Sequence, residues 1–122
     1  DGLIEAGSHA PSHPHLTHLS DDDLRRELQA SKAAIEHELK RPCELIAYPY
    51  GEHDARVRHA VQEAGYSAAF AAPGRSLRFD RFQVPRTAFW RNESPARVAA
   101  KTRFSVRVAR ELGLTPTRRS PR

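Results

Sequence analysis

His9 and His13 stand four residues apart in the run Gly7-Ser8-His9-Ala10-Pro11-Ser12-His13-Pro14. Imidazoles at that spacing can close on one divalent cation, and a catalytic metal is held by few protein ligands with one position left open. Further along, Ala47-Tyr48-Pro49-Tyr50-Gly51 forms a second unusual cluster at the end of an apolar run. Together the clusters point to metal-assisted hydrolysis, in which the cation polarises a carbonyl and activates a water. A third ligand and a catalytic base are not evident in the chain.

The elements that must position these residues follow from local chemistry. Leu3, Ile4 and Ala6 suggest a short strand from Gly2 to Ser8 that runs into the histidine loop. Pro11 and Pro14 forbid a regular helix there, so both histidines belong to a turning segment at a strand end. Ser20 is placed to cap a helix whose first turn, Asp21-Asp22-Asp23, suits the positive end of the helix dipole. Leu24, Leu28, Ile35 and Leu39 make its inward stripe, and Arg41-Pro42 stops it.

Glu44 to Tyr48 reads as a strand leading into Pro49-Tyr50-Gly51. Asp54 caps a second helix through Ala64, with Val57 and Val61 inward and Gly65 as the stop. Tyr66 to Ala71 reads as another buried strand, and a further one falls within Phe82–Phe89 around Pro85-Arg86. Ser94-Pro95 starts a last helix that reaches Leu112 and ends at Gly113. Strands alternating with helices imply an α/β fold with parallel strands and right-handed crossovers. In such folds sites form at the carboxyl ends of strands, which is where both clusters lie.

Composition sets the outer bounds. A chain of 122 residues suits one small domain or part of a larger one, and 39% apolar with 29% charged residues is ordinary for a globular protein. The absence of methionine and the start at Asp1 read as an internal or truncated segment. No run of 18 apolar residues occurs, so no membrane span is expected. The net charge of +5 is concentrated at the end, where Arg103, Arg107, Arg110, Arg118, Arg119 and Arg122 face one acid, Glu111. Without a binding motif this reads as a solvated helix and a disordered tail over 114–122, and no nucleic-acid partner is expected. A single cysteine, Cys43, excludes an internal disulfide and a cysteine-rich zinc site.

The segment from Gly7-Ser8-His9 through His13-Pro14-His15-Leu16 to Leu19-Ser20-Asp21 resembles the histidine motif of the NodB-homology polysaccharide deacetylases, carbohydrate esterase family 4. Ala47-Tyr48-Pro49-Tyr50-Gly51, with the capped helix and Glu63-Ala64-Gly65-Tyr66 after it, resembles the family's next block. The likeness covers roughly residues 3 to 72 and is weaker from Arg75 onward. It implies a partial distorted (β/α) barrel over residues 1–113 and a hydrolase that removes acetyl groups from N-acetylated poly- or oligosaccharides. It also implies a divalent metal, zinc first, held by His9 and His13. The Tyr50 backbone amide would face the oxyanion, and Tyr48, Pro49 and Trp90 would line the substrate. A bacterial protein of the cell envelope or cytoplasm fits the resemblance, which does not choose between the two.

The sequence departs from the family pattern in three places. The family's Asp-Asp motif, which supplies the base and third ligand, precedes the histidines and is not in this chain, so the 122 residues alone should have little activity. Asp21–Asp23 cannot replace it, because capping accounts for them. The arginine often found before the Pro-Tyr motif is Ala47 here, while Pro85-Arg86 resembles a later pair that would let Arg86 orient the base. The family's late Leu-x-His motif has no counterpart, since no histidine follows His59. A non-catalytic carbohydrate-binding or interaction module on the same scaffold is the alternative. For the remaining side chains, Tyr48 and Tyr50 read alternatively as simple wall aromatics, and Trp90 reads first as closing the core. His15 and His18 read as surface or neighbour-orienting residues, and His37, His53 and His59 as solvated.

Overall fold

The computed structural model describes residues 5–72, 80–86 and 91–111, with side chains as far as 103. The chain forms two compact units, Asp1–Pro85 and Arg86–Arg122.

In the first unit the helix α1 spans Asp21–Leu39, and Ser20 caps it as expected, its side chain accepting from the Asp23 N–H at 3.2 Å. The acidic first turn is engaged in pairs: Asp22 with Arg25 at 2.9 Å, Asp23 with Arg26, and Asp21 with Arg56 at 2.8 Å. Leu24 and Leu28 are fully buried, and Ile35 packs at the margin of the core. The inward stripe then departs from expectation, since Leu39 is 46% exposed. The chain returns toward the sheet through Cys43, whose N–H donates to Glu36 at 3.0 Å and whose carbonyl accepts from Lys32. Leu39 extends past that return. Ser31, which pattern reading passed over, takes an inward position and bonds the buried Ser8 hydroxyl at 2.7 Å.

Three short parallel strands follow, β1 Leu45–Ala47, β2 Ala68–Ala71 and β3 Val84–Pro85, in the order β1-β2-β3. Ile46 pairs with Ala69 and Phe70 with Val84. Proline is tolerated in β3 because it lies at an edge of this ladder. The first expected strand is reduced, within the described residues, to one parallel bridge between Ser8 and Ile46; residues 1–4 lie outside them. Two bonds hold that bridge: Ser8 N–H to Leu45 O and Ala47 N–H to Ser8 O, each 2.8 Å.

The crossover between β1 and β2 is α2, Ala55–Glu63, capped by Asp54, which accepts from Val57 N–H at 2.7 Å. Val57 and Val61 are buried against Leu16, Leu24 and Ile46 in one core. Gly65 stands just beyond the helix end with φ of +80°, the left-handed conformation that glycine supplies at low cost. The core also contains Tyr66, whose hydroxyl donates to Leu28 O at 3.0 Å; burial pushes its pKa up to about 12.

A polar hub precedes β3. Burial is the largest single influence and raises the Asp80 pKa, but hydrogen bonds from Phe82 N–H and the Gln83 amide together with the Arg58 guanidinium, each at 2.8 Å, jointly outweigh it. The Asp80 carboxyl therefore sits below its ordinary range. A carboxylate whose folded-state pKa is depressed contributes stability that is complete above its unfolded-state value and lost as the pH falls through the folded one. Asp80→Asn is expected to flatten the acid limb of the stability curve below about pH 4, read from urea midpoints across a pH series.

In the second unit α3 runs from Pro95 to Glu111, with Ser94 accepting from Arg97 N–H at 3.4 Å and Val98 N–H at 3.1 Å. Lys101 pairs with Glu93. The start at Ser94-Pro95 agrees with the sequence reading. The expected stop at Gly113 and the tail over 114–122 lie outside the described residues. No helix among the described residues is long and apolar enough to cross a membrane.

Candidate metal centre and the adjoining turn

The loop that leaves Ser8 carries both sequence-predicted ligands and is bent by two left-handed residues, Ala10 at φ 59° and His13 at φ 51°. Non-glycine residues adopt this conformation at a cost, so the surroundings must hold it. Helix α1 contributes through Glu27, which accepts from the Ser12 hydroxyl at 2.5 Å and the Ser12 N–H at 3.4 Å.

The result is convergence. His9 Nε2 and His13 Nε2 lie 3.1 Å apart, with ring planes at 71°. On its other edge His9 Nδ1–H donates to the Ala47 carbonyl at 2.7 Å, which leaves the lone pair on Nε2. Two nitrogens held at the zinc-typical ~2.0–2.1 Å in a tetrahedron are separated by roughly 3.3–3.4 Å. The pair thus needs only a small adjustment to share a cation, and the donor set fits. Among the described residues, no cluster of three or more His, Cys, Asp or Glu side chains is placed to hold a metal.

The turn Pro49–Gly51 stands beside the pair. Tyr50 is left-handed at φ 57°, and Gly51 follows at φ 73°. A Cβ on Gly51 would lie 2.5 Å from both the N and the Cβ of Ala72, whose N–H donates to Gly51 O at 3.1 Å. Neighbouring amides are committed: Tyr48 N–H to Phe70 O at 2.9 Å, Gly51 N–H to Tyr48 O at 2.9 Å and Glu52 N–H to Pro49 O at 3.2 Å. Pro49 has no N–H.

The Tyr50 ring is half exposed and meets the edge of His13 at 4.6 Å between centroids. Its face stacks on His15 at 4.0 Å and 7°. His15 Nδ1–H also donates to Glu52 at 2.8 Å, and His18 stacks on the far side of His15 at 5.1 Å. His15, expected at the surface or orienting a neighbour, meets both the turn and Glu52, whose position directly after Gly51 is the available sequence signal.

Tyr48 and Pro49, expected to line the substrate, are completely buried, so in this structure they shape the turn and offer no side-chain surface. Tyr48 donates its hydroxyl to Phe82 O at 2.8 Å, and burial drives its pKa far above the usual phenol range. His53 is not solvated as expected: it stacks on Tyr48 at 4.9 Å and meets Gln83 at 3.4 Å. His37 and His59 are exposed, as read. Arg86 opens the second unit, and its suggested role rests on the motif alone. Trp90 lies outside the described residues.

Two imidazoles thus stand beside a left-handed turn at the carboxyl end of a parallel strand in an α/β fold. The polysaccharide deacetylase family model matches residues 1–69, and the chain belongs to that family. Its fold is similar to that of the deacetylase PplD from Streptococcus pyogenes, solved with acetate (TM-score 0.69, 22% identity, 78% of this chain and 43% of that one). It is also similar to the family 4 carbohydrate esterase from Streptomyces lividans, solved with acetate (TM-score 0.55, 21% identity, 96% and 66%). A third likeness is to a de-N-acetylase from Aggregatibacter actinomycetemcomitans (TM-score 0.54, 16% identity, 66% and 31%). The chain spans less than two thirds of each of these structures.

Proposed function

We propose that this chain forms part of a metal-dependent deacetylase that hydrolyses the acetyl group from N-acetylated poly- or oligosaccharides. One observation carries the reading: the Nε2 atoms of His9 and His13 lie 3.1 Å apart, with His9 fixed from behind by Ala47 O. These two residues would hold the cation, and zinc is the metal we assign from the imidazole donors. A bound divalent cation there would polarise the acetyl carbonyl and acidify a water.

The chain's own contribution is orientation. The Ala47 carbonyl keeps the His9 proton on Nδ1, so Nε2 remains a donor toward the cation. The Tyr50 amide, beside His13, is assigned to the oxygen that gains charge as the acetyl carbon becomes tetrahedral. The third ligand and the base would be carboxylates of the family's Asp-Asp type, which the described residues do not bring to the two histidines. The 122 residues alone should therefore bind zinc weakly and turn over little.

The test is acetate release from an N-acetylglucosamine oligomer by the gene product as encoded, including any residues that precede Asp1. Release is expected with zinc, loss with a chelator, and recovery when the metal is restored. Oligosaccharide binding with no release under any metal would favour the non-catalytic module. Full activity from residues 1–122 alone would show that the base has been misassigned.

A further inference from the structure

We infer that His15 and Glu52 form a clamp that holds the Tyr50 turn in register with the two metal-loop histidines, making His15 a positioning residue for the amide assigned to the oxyanion. The inference rests on the deacetylase reading for its catalytic consequence, but its structural content stands separately.

The geometry shows why a clamp is needed. Tyr50 is a left-handed non-glycine residue, and the loop opposite it carries two more in Ala10 and His13. Strain of this kind persists only where the surroundings over-determine it. Gly51 is fixed against Ala72 and Tyr48 is buried, so the turn is anchored on its sheet side. On its outer side the turn is joined to the histidine loop through His13 and through His15. His15 covers one Tyr50 face with planes 7° from parallel, while its Nδ1–H reaches the carboxylate two residues beyond Tyr50 at 2.8 Å. One ring thus grips the turn at two points, a stacked face and a directed hydrogen bond. The bond and the stack fix both rotation and translation, as orientation of a catalytic amide requires.

The two contacts can be separated by substitution. His15→Phe keeps a stacking ring without the donor, and Glu52→Gln keeps an acceptor without the charge. Glu52→Ala removes the acceptor, and His15→Ala removes both contacts. His15 and Glu52 side chains are 43% and 50% exposed, so these changes leave the core intact.

The experiment uses the zinc-loaded gene product and an N-acetylglucosamine oligomer. His15→Phe and Glu52→Ala are each expected to lower kcat about tenfold, and His15→Ala by more, the size of effect seen when an orienting partner is removed. KM and zinc affinity should stay within about twofold, since substrate contacts and ligands are untouched. Glu52→Gln should retain most activity, and His15→Phe combined with Glu52→Ala should be no worse than either alone. A second readout does not need catalysis. In protein labelled with 15N-tyrosine, the Tyr50 amide should shift and exchange faster with solvent in His15→Ala. Zinc affinity falling in step with kcat, or a Tyr50 amide unchanged in His15→Ala, would overturn the clamp. If the parent protein releases no acetate at all, the deacetylase reading fails, and the amide measurement still decides the clamp.

Discussion

Replacing His13 with alanine, or His9 with asparagine, should abolish zinc-dependent acetate release while leaving the fold in place. Asparagine at position 9 keeps an N–H near the site of Nδ1, able to donate to Ala47 O, but has no counterpart of Nε2. The substitution therefore removes the donor toward the cation without removing the bond that ties the loop to β1. Removing an orienting partner of a metal ligand already costs about 10–100-fold in affinity, and loss of the ligand itself should exceed that. The cation's polarising effect amounts to several kcal/mol, so kcat/KM should fall by roughly a thousandfold or more. Unchanged circular dichroism and urea midpoint, with zinc binding measured by competition against a chromogenic chelator, complete the test. Retention of tight zinc binding in both variants would remove the two histidines from the site.

Gly51→Ala is expected to be as damaging by a different route. The added methyl would sit 2.5 Å from Ala72 N and Cβ and 2.9 Å from its Cα, and the residue would have to keep φ at +73°. Overpacking against backbone and the left-handed conformation together should cost about 2–4 kcal/mol. Gly65→Ala supplies the internal control, since at φ +80° a methyl meets only the flexible Lys32 Cε at 3.9 Å. There the cost should be only about 1 kcal/mol, the conformational part. Urea unfolding of both variants separates clash from conformation. Equal losses would mean that the Pro49–Gly51 turn can yield without affecting its surroundings.

Much of the frame was legible because single residues announce it. Ser20 with three following acids, Asp54 before an apolar helix face, and Gly65 after one marked helix ends to within a residue or two. Alternation of helices and apolar runs implied parallel pairing, which β1, β2 and β3 show. The proximity of His13 to Tyr50 agrees with placing both motifs after strands. What sequence could not supply was anything set by tertiary context. Leu39 has the right spacing for burial, yet lies beyond the point where the chain turns back. Tyr48 and Tyr50 look alike two residues apart, but the turn buries the first and exposes the second. The left-handed φ of His13 and Tyr50 has no signature in residue type, and the His15–Glu52 contact joins positions 37 apart.

The Ala47 carbonyl has one further consequence. In a parallel ladder that begins with Ser8 N–H to Leu45 O and Ala47 N–H to Ser8 O, the next rung would be Ala10 N–H to Ala47 O. Here the His9 imidazole takes that oxygen, while Ala10 swings left-handed and its N–H faces the Ser8 hydroxyl at 3.5 Å. Continuation of the sheet and aiming of the imidazole thus call for different backbone paths at Ala10 beside one carbonyl. A β-branched residue at position 10 would favour the extended backbone and the extra rung, and so would unseat the ring without ever approaching the cation.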